Sequence, residues 1–297
     1  MTEKQNVTVE LDSDNIPLDR SDLRNVKKIK SLEGMCSADK SDPENCSGMR
    51  TIEQYKKEVL NPGIESGKIG DGVKSKWDDR KLRYDNATIN GEDLEVKFGV
   101  SHFKEVKDDI VRDRNINEYL MEIGKKRFDN QYAFFERGPG VTVIPITKDG
   151  SIYLAERGAV DTGIGLLNGA AGNISYKDNI TLVNPLDEAK KEFLEEMGVK
   201  AGDIRSMPLI GLYGDRTTGE IDFTYLATIK LTDKELMDAW DGAKDKAESS
   251  RRIRIPDYKS LMEIVTNGKI KGSDKRWELM YATRGGLESI LPSEINS

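Results

Sequence analysis

The chain has 297 residues, a formal net charge of −7 and a sequence pI of about 5.2. That length suits one large or two modest domains. The acidic balance, with no long basic run, argues against a nucleic-acid partner. A single histidine, His102, and two cysteines, Cys36 and Cys46, are too few for a structural zinc site, and the cysteines read as free thiols. No apolar run approaches ~18 residues and the polar N-terminus has no apolar signal core, so a cytoplasmic protein without a membrane partner is expected.

In chain order, residues 1 to about 50 read as polar loop sequence, with a short strand at 7–11. Residues 51–60 read as a helix ended by Asn61, Pro62 and Gly63. Residues 64–90 read as loops around Gly67, Gly70 and Gly72. The stretch 94–106 suggests a short strand and then a helix, with His102 as a packing or surface residue. Residues 116–124 read as a helix, and 127–135 lead into a first core strand. The expected organisation is an N-terminal extension over 1–131, with a small α/β region near 94–131, and a main domain over 132–297.

In the main domain, the β-branched run 140–147, a turn at Lys148, Asp149 and Gly150, and the alternating run 151–157 predict a hairpin. A glycine-rich loop follows at 168–173, then a helix over 184–199 and strands at 207–213 and 221–229. Residues 251–254 are the densest basic spot, read as a local substrate or surface feature. Residues 255–265 read as a strand end followed by an amphipathic helix, and 277–291 as a last helix. Met262, Ile264, Trp277, Leu279 and Met280 are assigned to core packing.

The helix at 184–199 carries the most information. Asn184 suits an N-cap, Pro185 the first helical position, and Gly198 a left-handed C-terminal residue. Leu186, Ala189, Phe193 and Met197 form an apolar stripe, while Glu188, Glu192, Glu195 and Glu196 crowd another face. Like charges three and four apart repel by a few tenths of a kcal/mol, and a hard divalent cation would remove that repulsion.

The segment K-E-F-L-E-E-M-G-V, residues 191–199, resembles the second half of the Nudix box, G-x5-E-x7-R-E-U-x-E-E-x-G-U, where U is bulky and apolar. Glu192, Phe193, Glu195, Glu196, Gly198 and Val199 match. Lys191 stands at the arginine, Val183 at the first glutamate, and Gly172 lies five residues upstream of the glycine position, with an insertion read into 174–183. A looser similarity links F-G-V-S-H-F-K-E-V, with Gly99 and Phe103, to the run ahead of the core in relatives that cleave UDP-sugars.

The resemblance implies an α/β/α sandwich around a mixed sheet, preceded by an N-terminal extension. It implies metal-dependent hydrolysis of a diphosphate bond in a nucleoside-diphosphate compound, with a nucleotide sugar such as UDP-glucose favoured. ADP-ribose or dinucleotide hydrolysis, and a binding module without catalysis, are the alternatives. Mg²⁺, with Mn²⁺ as substitute, would be held by Glu192, Glu195 and Glu196. Catalytic carboxylates would come from Glu195, Glu220 and Glu248, with Asp222 a further candidate base. Arg137, Arg157 and Arg216 would pair with phosphate. The partner would be a small molecule, and a homodimer is compatible with the family.

Overall fold

The computed structural model describes residues 7–11, 80–90, 93–103, 135–158, 163–176, 183–270 and 274–291, with scattered positions from 106 to 132. Cys36, Cys46 and the expected helix at 51–60 lie outside the described residues.

The first sheet contains β1 (Val7–Leu11), β2 (Arg80–Asn90) and β3 (Asp93–His102) in the order β1-β3-β2. β1 runs parallel to β3 and β2 antiparallel to it. β2 corrects the loop expected over 64–90. Its signal is masked because Asp85 and Asn86, two successive polar residues, interrupt the alternation where the pairing with β3 shifts register between Tyr84 and Asn86. Arg83 is buried, 3 % exposed, with its Nε 2.5 Å from Asp85 Oδ1. β3 is also longer than the short strand expected from residue 94.

The second sheet contains β4 (Pro139–Ile146), β5 (Ile152–Arg157), β6 (Leu167–Asn168), β7 (Ala170–Asn173), β8 (Ile204–Ser206), β9 (Leu209–Gly214), β10 (Ile221–Ile229) and β11 (Ser249–Ile255). Its path is β11-β5-β4-β10-β8, with β6 on β5, β7 on β4 and β9 on β10. β4 and β10 pair in parallel and the other pairs are antiparallel, so the sheet is mixed. The expected hairpin is present as β4 and β5. The glycine-rich loop expected at 168–173 is instead two short strands, β6 and β7. Residues 251–254, the densest basic spot, are exposed or half-buried. They form the body of β11, where Arg252 pairs with Asp241 at 2.6 Å and Arg254 with Asp233 at 2.7 Å.

Strand alternation sets the layers, since successive side chains point to opposite faces. Val141 and Val143 of β4, Tyr153 and Ala155 of β5, and Phe223, Tyr225, Ala227 and Ile229 of β10 form one apolar face. Helix α1 (Pro185–Met197) covers it with Ala189, Phe193 and Met197, and helix α2 (Asp233–Asp241) adds Leu236 and Trp240. Ile144, Ile152 and Leu154 form the other face, under helix α3 (Tyr258–Asn267) with Leu261, Ile264 and Val265, and helix α4 (Tyr281–Ser289) with Leu287. The expected α/β/α sandwich is therefore present. Helix α2 has no counterpart in the sequence reading, although Thr232 and Glu235 form a capping box at its start. Helix α4 begins at Tyr281, four residues after the expected start, because residues 277–280 are used in bridging to Leu167 and Gly268.

The small sheet contributes to the first core. Leu82, Val96 and Phe98 are fully buried there, and the Phe98 ring meets Phe223 edge-on with centroids 6.1 Å apart. Among the described residues, no helix is long and apolar enough to cross a membrane.

Candidate functional site

Local chemistry fixes α1 in place. The Asn184 side chain accepts a hydrogen bond from Leu186 N at 3.1 Å, Pro185 opens the helix, and Gly198 closes it at φ 72°. With Ala189, Phe193 and Met197 turned into the core, the 3.6-residue period leaves Glu188, Glu192, Glu195 and Glu196 around the side facing β7 and the rim. Lys191 stitches this face together. Its Nζ lies 2.7 Å from Glu188 Oε1, 3.1 Å from Glu192 Oε1 and 3.8 Å from Glu195 Oε2. Burial works against the ammonium, yet the bonds to Glu188 and Glu192 outweigh it and hold its proton more tightly than usual.

β7 passes close beneath the helix. Ala171 N donates to Glu196 Oε1 at 3.3 Å. A Cβ at Gly172 would stand 2.6 Å from Glu192 Oε2 and 2.8 Å from Glu192 Cγ, so only glycine lets the helix carboxylate sit there. Gly172 therefore serves the helix face although it lies upstream of its expected position.

Glu192 borders a cleft of about 540 Å³ between α1, β7, the start of β10 and the start of α4. Glu220, just before β10, enters it from a second side and accepts from Thr218 Oγ1 at 3.2 Å. Burial, reinforced by the neighbouring Asp222, pushes the Glu220 carboxyl up to about 8. Asp222 accepts from Thr142 Oγ1 at 2.7 Å and from the Tyr281 hydroxyl at 3.0 Å. Burial raises its carboxyl and those two bonds moderate the rise. Gly140, paired with Asp222 across the parallel ladder, leaves room for that carboxylate, which an added Cβ would strike. Glu248 reaches the cleft from a 3-10 turn, Lys246–Glu248, and burial raises its carboxyl. Arg157, at the end of β5, lines the same cleft.

Of the residues expected from sequence, Glu192, Arg157, Glu220 and Glu248 come together at the cleft. Glu196 lies beside them, 8 % exposed. Burial first, then Glu248 and Glu192, raise its carboxyl well above the ordinary range. Glu195, Arg137 and Arg216 are not among the lining residues. Glu195 is drawn away by Lys244, 2.9 Å from its Oε1, and that bond lowers its carboxyl. Arg137 donates from Nε to Gly219 O at 3.1 Å and is stacked between Tyr84 and Tyr132, its guanidinium carbon 4.5 and 4.9 Å from their ring centroids. The carbonyl of Arg216 accepts from Tyr132. Tyr281, Phe103 and Lys81 line the cleft but were not read as site residues. Tyr281 lies 59 positions from Asp222, and no spacing rule links two residues so distant. Met280, assigned to core packing, also borders the cleft.

Among the described residues, no group of three or more histidine, cysteine, aspartate or glutamate side chains is drawn together as a metal cage. The donor set still suits one kind of ion. Glu192, Glu196 and Glu248 offer only hard oxygens, and burial raises all three carboxyls, with added repulsion from Glu248 and Glu192 at Glu196. Mg²⁺ is ordinarily held by one or two carboxylates together with waters and substrate phosphates, and does not need an all-protein cage.

No family model matches the chain, and no curated protein gives a match. Among solved structures, it is similar to a NUDIX hydrolase from Nitrosomonas europaea at 17 % identity, over 53 % of this chain and 94 % of that one, with a TM-score of 0.33. A MutT NUDIX hydrolase from Burkholderia pseudomallei aligns at 18 % identity over 52 % and 98 % of the two chains, with a TM-score of 0.35. The NUDIX domain of Shewanella oneidensis NrtR, complexed with ADP ribose, aligns at 14 % identity over 53 % and 88 %, with a TM-score of 0.35.

Proposed function

We propose that this chain is a Nudix-type hydrolase that cleaves the diphosphate bond of a nucleoside-diphosphate-linked compound with the help of Mg²⁺, for which Mn²⁺ can substitute. A nucleotide sugar such as UDP-glucose is the favoured substrate. The observation that carries the reading is the convergence of the helix carboxylate Glu192 with Glu220, Asp222, Glu248 and Arg157 at one cleft, with the buried Glu196 beside them. The half-box in α1 supplies the family, and Phe103, from the segment resembling UDP-sugar relatives, borders that cleft. The main domain of the proposal spans 132–297, although the extension supplies part of the cleft wall.

Glu192 and Glu196 would hold the ion, the second shielded from bulk water by burial. When bound, the ion neutralises diphosphate charge and polarises a phosphoryl oxygen. Arg157 offers a planar fork of donors to phosphate oxygens. Of the four candidate carboxylates, Glu248 is best placed to accept a proton from attacking water, since Asp222 is engaged by Thr142 and Tyr281. Glu195 is turned to Lys244, and Glu220, with its carboxyl near 8, still carries a proton at neutral pH. A protonated Glu220 instead donates a hydrogen bond to a phosphate oxygen. The Tyr281 hydroxyl, whose proton burial holds well above the usual phenol range, keeps Asp222 oriented.

The test is monophosphate release from a panel of nucleotide sugars, ADP-ribose, dinucleotides and nucleoside triphosphates, with Mg²⁺, with Mn²⁺ and with chelator. Turnover that depends on the metal and is highest on a nucleotide sugar is expected. No release from any member refutes the enzyme, and binding without release points to a binding module. Glu196→Gln should lower turnover at least ~100-fold with the fold intact, the scale of losing a positioned charge at the reacting centre. Undiminished turnover would remove Glu196 from the site.

A further inference from the structure

The cleft holds one cation that the reading above leaves without a task. Lys81 sits near the start of β2, and its backbone makes an antiparallel bridge to Ser175, just beyond β7. That bridge joins the small sheet to the rim of the site and brings the Lys81 side chain into the cleft wall. Its Nζ lies 5.5 Å from the centroid of the Phe103 ring. Together with Val106 and Gly138, the pair also borders a narrow adjoining pocket, so they form one end of the cleft.

The three cations of the cleft differ in what they face. Lys191 is held by Glu188 and Glu192. Arg157 lies close enough to Glu196, Asp222 and Glu248 to favour their charged forms. Lys81, among the described residues, has an aromatic ring for company and no carboxylate in ion-pair reach. An ammonium held at an aromatic face inside a partly desolvated cleft attracts an anion more strongly than one in open water. On that reading the carboxylate end of the cleft would hold one phosphoryl group, with Arg157 as its cation, and the second phosphoryl group of a diphosphate would have no counter-charge there.

We propose that Lys81 is a substrate-binding residue that pairs with the second phosphoryl group of the diphosphate, making the N-terminal sheet part of the substrate site. The inference rests on the diphosphate reading of the cleft and adds to it a residue from outside the main domain. Lys81 acts on binding, since its ammonium lies against the Phe103 ring. The β2 ladder and the Ser175 bridge use its backbone alone, so a change of side chain leaves them in place.

The experiment uses the full chain with Mg²⁺ and titrates uridine α,β-methylene diphosphate by calorimetry, with uridine as the uncharged control. Lys81→Met keeps the stem and removes the charge; Lys81→Arg keeps the charge. Lys81→Met should weaken analogue binding about tenfold or more, the scale of one charge-assisted hydrogen bond, and leave uridine binding unchanged. Lys81→Arg should stay within about threefold of the parent. In turnover of a nucleotide sugar, KM should rise in parallel while kcat stays within about twofold. If Lys81→Met melts early, Lys81→Gln replaces it under the same criteria. Analogue binding by the charge-free variant as tight as the parent's overturns the inference, even where the parent cleaves nucleotide sugars. A parent chain that neither binds the analogue nor cleaves any substrate overturns the diphosphate reading and this inference with it.

Discussion

Gly172→Ala separates the geometry of the site from the stability of the fold. The added Cβ would stand 2.8 Å from Glu192 Cγ and 2.6 Å from its Oε2. Carbon atoms pack at about 3.5–4.0 Å, so the Glu192 side chain must retreat by about 1 Å. The atoms in the way belong to the flexible end of one side chain, and moving it off its rotamer costs about 0.5–1.5 kcal/mol. Replacing glycine also removes freedom from the unfolded chain, worth about 0.4–1 kcal/mol in the opposite direction. Stability should therefore change by less than about 1 kcal/mol in urea unfolding. Activity should not be spared, because a misplacement of about 1 Å at a reacting centre costs on the order of 100-fold. Metal-dependent monophosphate release from the preferred nucleotide sugar is the assay. A Gly172→Ala protein with kcat/KM within twofold of the parent would show that Glu192 does not need its observed position, and the site as built here would be wrong.

Two further outcomes follow from the charges. The folded Glu220 carboxyl sits near 8 against an ordinary 4.5. Between those values the native state holds more protons than the unfolded state, so this group's contribution to stability falls as pH rises from about 4.5 to about 8. Glu220→Gln should thus be more stable than the parent at pH 8.5, on the order of a few kcal/mol, and nearly equal at pH 4.5, read by urea titration in chelator. An equal difference at both pH values would sink the assignment. Lys191→Met leaves Glu188, Glu192 and Glu195 without their shared cation. It should cut turnover about tenfold while costing at most about 1 kcal/mol, and Lys191→Arg should keep turnover within a few-fold. Equal activity in the methionine variant would mean that the network does not orient Glu192.

Helix α1 was legible in sequence because everything that defines it is local. The cap, the first-position proline, the apolar stripe and the terminal glycine all act within one to four residues, the range over which a helix is specified. The β4–β5 hairpin and β10 were legible for the same reason, through β-branched alternation and a short turn. β2 was not, because two successive polar residues, Asp85 and Asn86, interrupt its alternation, and the register shift that accommodates them exists only in the pairing with β3. β6 and β7 were hidden by small residues whose strand character comes from the neighbours that pair with them.

The sequence by itself determined the acidic helix, since periodicity and capping are short-range and carry their own physical signal, and the resemblance of that helix to the Nudix box implied the sandwich around it. Tertiary structure alone decided which charges share a cleft. It turned Glu195 outward to Lys244, stacked Arg137 between two tyrosines, and brought Tyr281 to Asp222 and Lys81 to the rim. Side chains on one helix face are related by a fixed turn of the backbone. Those from different elements meet only through sheet pairing and packing, which single-chain spacing does not record.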